Sequence, residues 1–123
     1  MTVRPPFSGF SAREVEPTIA FYRDVIGIGA SVDENGMGSI DLGDDHRVLV
    51  YPKGDAHVPA SFTILNVPAD DVGAKVAELV ARGAEPLRYD GMPQDDDGVM
   101  RGHGPDIAWF ADPSGNVVSI IGA

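Results

Sequence analysis

The sequence predicts an α+β fold: two βαβββ modules forming a curved mixed sheet cup with a concave inner face. Three observations carry this reading. The same order of patterns, one strand, one amphipathic helix and three more strands, is read twice along the chain. A faint internal repeat at an offset of 57 sets Phe10 on Val67, Val15 on Val72, Ile19 on Val76 and Ala20 on Ala77. Each module alone would expose one sheet face and one helix stripe, and pairing the modules buries both.

Phe7–Ala12 reads as the first strand. In the helix that follows, Pro17 suits the first turn, where a missing N–H costs nothing, and Glu14 and Glu16 sit at the positive end of the dipole. Val15, Ile19, Tyr22 and Ile26 recur at steps of four, three and four, which places them on one face. Gly27 stops the helix. Ile28–Asp33, Gly38–Leu42 and Arg47–Tyr51 read as strands, separated by the hairpin signal Asn35-Gly36 and the turn Gly43-Asp44-Asp45, and Pro52 ends the last.

The second module repeats the order. Ser61–Val67 alternates with period two, and Asp70 or Asp71 caps a helix whose buried stripe is Val72, Val76, Leu79 and Val80. Gly83 closes it. Glu85–Tyr89 is expected to be a strand, Gly91–Asp106 a long loop rich in Gly and Asp, and Ile107–Ala111 and Asn116–Ile121 the last two strands. The 123 residues suit one domain, with module one at about 7–52, a polar linker at 53–59 and module two at about 60–123.

Composition narrows the chemistry. There is no cysteine, which excludes disulfides, thiolate metal sites and a cysteine nucleophile. The formal net charge of −10 repels phosphate backbones, so nucleic acid is not an expected partner. Met1–Phe7 contains one Arg and Pro5-Pro6 but no apolar run of signal-peptide length, and no segment approaches the roughly 20 apolar residues of a membrane helix. A cytoplasmic protein with no membrane partner is expected.

Three stretches resemble the vicinal-oxygen-chelate superfamily, which includes glyoxalase I, bleomycin-resistance proteins and extradiol dioxygenases. Phe21-Tyr22-Arg23-Asp24-Val25-Ile26-Gly27 is similar to the end of its first helix. Val67-Pro68-Ala69-Asp70-Asp71-Val72, leading to Gly83-Ala84, is similar to the opening of its second module. Trp109-Phe110-Ala111-Asp112-Pro113-Ser114-Gly115-Asn116 is similar to the turn before its last strand. The resemblance implies the glyoxalase/bleomycin-resistance/dioxygenase-like fold over nearly the whole chain, and a homodimer whose cups are completed within or between chains.

Enzymes of that superfamily usually hold one divalent metal with His and Glu side chains facing the cup. Carried over by spacing, the ligand positions are Phe7, Ile64 and Ser119, with the fourth near Val48. Phe, Ile and Val offer no lone pair and Ser is a poor ligand for a divalent ion, so no metal and no cofactor is expected. The three histidines, His46, His57 and His103, share no strand or helical face and read as exposed or loop residues. Asp95-Asp96-Asp97 has the charge of a hard-cation site without the spacing of a calcium loop.

A cup of this composition has an apolar centre at Phe7, Val48 and Ile64. Tyr51, Tyr89, Met92, Met100 and Trp109 lie on segments that border it, a lining suited to a planar organic ligand. The long stretch Gly91–Asp106 is a candidate binding loop or lid, in which Arg101 and His103 would orient an anionic or carbonyl group. The candidate ligand-binding set is therefore Phe7, Val48, Tyr51, Ile64, Met100, Arg101, His103, Trp109 and Ser119. The favoured function is metal-free binding of a small molecule, as in the bleomycin-resistance branch, with no catalysis. The alternatives are a metal-dependent lyase, isomerase or dioxygenase, a metal-independent enzyme using His103, Arg101 or Tyr51, and a partner domain with an empty cup.

Overall fold

Steps of four, three and four residues put Val15, Ile19, Tyr22 and Ile26 on one side of a helix. In the computed structural model, which describes residues 1–123, all four are buried. Helix α1 (Val15–Ala20) begins after Glu14, whose backbone is extended, and the Thr18 hydroxyl donates to the Glu14 carbonyl at 2.8 Å. Over Phe21–Ile26 the helix widens into π geometry. The Gly27 amide bonds the Tyr22 carbonyl five residues back at 3.0 Å, and Gly27, at φ 89°, ends the helix.

The chain divides into two units, Met1–Pro59 and Ala60–Ala123. The first unit holds a four-stranded sheet, ordered β1-β4-β3-β2, from β1 (Ser8–Ala12), β2 (Ala30–Val32), β3 (Gly38–Gly43) and β4 (His46–Pro52). β1 runs parallel to β4, and the other two pairings are antiparallel. Residues opposite one another share a face. Ser8, Val48 and Ile40 therefore line one side, together with Phe10, Val50 and Gly38. That side carries α1. A Cβ at Gly38 would stand 2.7 Å from Ile19, and Ile40 and Val50 are fully buried. The opposite side presents Gly9, Ser11, Ser39, Asp41, Arg47, Leu49 and Tyr51.

The segment expected as a linker, 53–59, belongs to the first unit. A short 3-10 turn at Gly54–Ala56 follows β4, and the Lys53 amide bonds the Ala12 carbonyl at 2.9 Å. Arg13 pairs with Asp55, and Ser11 Oγ lies 2.8 Å from His57 Nδ1. His57 is thus a half-buried, hydrogen-bonded residue rather than an exposed one.

In the second unit, β5 (Thr63–Ala69), β6 (Ile107–Ala111) and β7 (Val117–Gly122) form a sheet ordered β5-β7-β6. β5 is parallel to β7 and β6 antiparallel to it. Helix α2 (Val72–Ala81) packs on β6 and β7, and its Asp71 cap accepts the Ala74 amide at 2.9 Å. Val72, Val76 and Leu79 form the buried stripe, but Val80 is 48% exposed, one residue too far around the helix. Leu65, Val118 and Phe110, then Val67, Ile120 and Ala108, stand opposite one another and make the apolar side toward α2.

The expected strand Glu85–Tyr89 does not form. It is reduced to a single bridge, Pro86 to Phe110, and one bond from the Leu87 amide to the Trp109 carbonyl at 2.7 Å. Pro86 has no N–H with which to extend a ladder. Two small mixed sheets with one helix each make the chain α+β, and no helix is long and apolar enough to cross a membrane.

Candidate functional site

The turn Asp112-Pro113-Ser114-Gly115-Asn116 fixes how β7 enters its sheet. The Asp112 carboxylate accepts the amides of Ser114 and Asn116 at 2.8 and 3.0 Å. The Asn116 carboxamide oxygen accepts the Ala60 amide at 3.1 Å. Three residues later, Ser119 stands on the side of β7 away from α2, with Asn66 of β5 and Trp109 of β6 opposite it. The Ser119 hydroxyl donates to Asn66 Oδ1 at 2.6 Å. On the far edge, the Tyr89 ring meets Trp109 edge-to-face, with centroids 5.4 Å apart. Asn66, Ser119, Trp109 and Tyr89 thus make one continuous row across the second sheet. Ser119 is fully buried, Trp109 is 8% exposed, and Tyr89 and Asn66 are its open ends.

Met100 joins this face. Its backbone bonds Ile107 in both directions, at 2.8 and 3.2 Å, on the β6 edge beside Trp109. Ile64 is half-buried at the start of β5, where the register slips between Thr63 and Leu65. Three sequence candidates, Trp109, Ser119 and Met100, are therefore brought together. Asn66 was missed, although it is the polar residue between Leu65 and Val67 in a strand of period-two alternation.

Other candidates lie apart from the row. Val48 is 5% exposed on the α1 side of its sheet, so its neighbours Arg47 and Leu49, not Val48, occupy the open face. Phe7 precedes β1 and is 73% exposed. Tyr51 shares the open face of the first sheet with Gly9 and Ser11. That face is polar rather than apolar. A concavity of about 440 Å³ on it is lined by Ser31, Ser39, Asp41, Asp45 and Arg47, among others.

The stretch Gly91–Asp106 is tied down by its own polar groups. Gln94 accepts the Tyr89 amide and donates to the Leu87 and Gly98 carbonyls, each at 2.8 Å. Arg88 donates to the carbonyls of Asp95 and Asp96. Arg101 bridges Asp95 at 2.9 Å and Asp106 at 2.8 Å and lies against Gly73 in the first turn of α2. The Arg101 guanidinium holds the Asp95 carboxyl below its ordinary range, helped by the Val99 and Asp97 amides. Arg101 is thus a brace of the loop, and His103 is exposed at its tip. The carboxylates of Asp95-Asp96-Asp97 serve no cluster of three or more metal-ligating side chains.

The sequence matches the glyoxalase-like domain family over residues 9–121. The chain belongs to that family. No curated protein matches this glyoxalase-like chain. Among solved structures it is similar to TnmS3, an antibiotic binding protein from a Streptomyces species, at 22% identity and a TM-score of 0.65, covering 99% of this chain and 98% of that one. It is similar to a lactoylglutathione lyase from Agrobacterium tumefaciens at 20% identity and a TM-score of 0.66, covering 100% and 96%. It is also similar to a member of the glyoxalase/bleomycin resistance protein/dioxygenase superfamily from Sphaerobacter thermophilus, at 18% identity and a TM-score of 0.69, covering 98% of each chain. These likenesses establish the glyoxalase/bleomycin-resistance fold. They include both a binding protein and an enzyme, so activity has to be argued from the site.

The divalent ion that the superfamily implies has poor ligands here. Its carried-over positions hold Phe7, Val48, Ile64 and Ser119, and the one oxygen among those side chains donates its proton to Asn66. No group of three or more His, Asp or Glu side chains converges elsewhere. These residues do not fit the ion.

Proposed function

We propose that this glyoxalase-like chain binds a small, planar organic molecule along the face of its second sheet that turns away from α2, without a metal and without chemical conversion of the ligand. One observation carries the reading. At the post-turn position where the superfamily places a metal ligand, Ser119 is committed to Asn66 and stands next to Trp109. An aromatic surface with one polar pair beside it favours a flat, conjugated ligand over an ion. The antibiotic binding function named for a protein of the same fold supports a binding role. The net charge of −10 adds attraction for cationic compounds. We propose this function for a cytoplasmic homodimer.

The test is equilibrium dialysis of EDTA-treated protein against a panel of two- and three-ring aromatic compounds. Saturable binding is expected, weakened at least tenfold in Trp109→Leu and less in Tyr89→Ala. Binding that survives Trp109→Leu unchanged, or no binding by any compound, would refute the placement or the function respectively.

A further inference from the structure

The Asn66 amide is oriented by its neighbour. Ser119 Oγ–H donates to Asn66 Oδ1 at 2.6 Å, which uses the oxygen end of the carboxamide and turns the Nδ2 end away. Asn66 itself is exposed, and its –NH2 donors have no protein partner, while Ser119 is fully buried beside it. The rest of this sheet face is poor in polar groups. Ile121 and Ile107 lie on one side of the row and Val117 and Ala111 on the other, each pair directly opposed across β6 and β7. With Ser119 recessed in the middle and Trp109 keeping only its rim, a molecule lying over the row meets apolar surface, the exposed Tyr89 side of the Trp109–Tyr89 pair at one end and an N–H donor at the other. From Asn66 to Trp109 is two strand spacings, about 10 Å, the length of a fused two-ring system with one substituent.

We infer that Asn66 is a specificity-determining residue that selects aromatic ligands carrying a hydrogen-bond acceptor, such as a ring-conjugated carbonyl, over equally flat ligands that carry a donor or no polar group. This rests on the binding function proposed above and names the ligand class for the same face. Ser119 acts through Asn66, as the positioning residue that keeps the amide nitrogen outward.

The probes are three naphthalenes of similar shape: 2-acetylnaphthalene, with an acceptor; 2-ethylnaphthalene, with none; and 2-aminonaphthalene, with a donor. Dissociation constants are measured by equilibrium dialysis on the full chain. One neutral hydrogen bond corresponds to a preference of about fivefold. Wild type is expected to bind 2-acetylnaphthalene about fivefold tighter than 2-ethylnaphthalene. Asn66→Asp replaces the N–H donors with a carboxylate, so the preference falls to one or reverses. Ser119→Ala leaves the amide free to turn and reduces the preference without abolishing it, which covers the case in which Asn66→Asp fails to fold. Equal wild-type affinities for the acetyl and ethyl compounds, or tighter binding of the amine, would overturn the inference while leaving the binding function intact. Binding of none of the three would overturn both.

Discussion

Replacing Gly38 with alanine tests the packing of α1 on the first sheet. A Cβ there would stand 2.7 Å from Ile19 Cγ1, 2.8 Å from Ile19 Cδ1 and 3.0 Å from Val15 Cγ1. Neither neighbour has room to retreat, since Ile19 is fully buried and Val15 is 6% exposed. Overpacking of a core costs about 1–3 kcal/mol. Restricting the unfolded chain gives back about 0.4–1 kcal/mol. The net loss for Gly38→Ala is therefore about 1–2 kcal/mol, a fall in Tm of roughly 4–8 °C at this chain length. Thermal and urea unfolding read it directly. Ile19→Val removes the Cδ1 atom, so the double variant should be more stable than the sum of the single losses by about 0.5–1 kcal/mol. A Gly38→Ala protein as stable as wild type, or strict additivity in the cycle, would refute the close approach of helix and strand.

Three further predictions follow from other parts of the chain. Asp112→Ala leaves the Ser114 and Asn116 amides without their carboxylate in a turn where Asp112 is 4% exposed, and should cost about 2–4 kcal/mol in chemical unfolding, with Asp112→Asn less harmful. Val48→Ala, facing α1, should lower stability by about 1–2 kcal/mol in the same assay and leave aromatic binding in dialysis unchanged. The Asp95 carboxyl is held below its ordinary 3.8, first by Arg101, so its contribution to stability is complete above that value and fades as pH falls through the lower folded value. The Tm difference between wild type and Asp95→Asn should accordingly shrink below about pH 4. A difference that stays constant or widens on acidification contradicts the Arg101–Asp95 brace.

What could be read from the residues was local. The stripe Val72, Val76 and Leu79 with an Asp cap located α2, and Ile107–Ala111 emerged with the bounds expected of it. The Asp112–Asn116 turn was legible because each residue has a fixed role in a tight reversal. The widening at Phe21–Ile26 was not, since the same four apolar residues satisfy either helical geometry. Val48 was expected at the apolar centre of the cup but faces α1, because a strand's face depends on register and a shift of one residue inverts it. The Asn66–Ser119 bond joins residues 53 positions apart and exists only through the parallel register of β5 and β7. The loop at Gly91–Asp106 is braced by Gln94 and Arg101, whose partners no spacing rule connects.

The proposal of an aromatic site in place of an ion is tested most directly by elemental analysis of untagged protein, purified without added metal or chelator. The expected content is far below one divalent ion per chain, with ligand affinity identical before and after EDTA. One tightly held ion per chain, removed by chelator together with ligand binding, would contradict it.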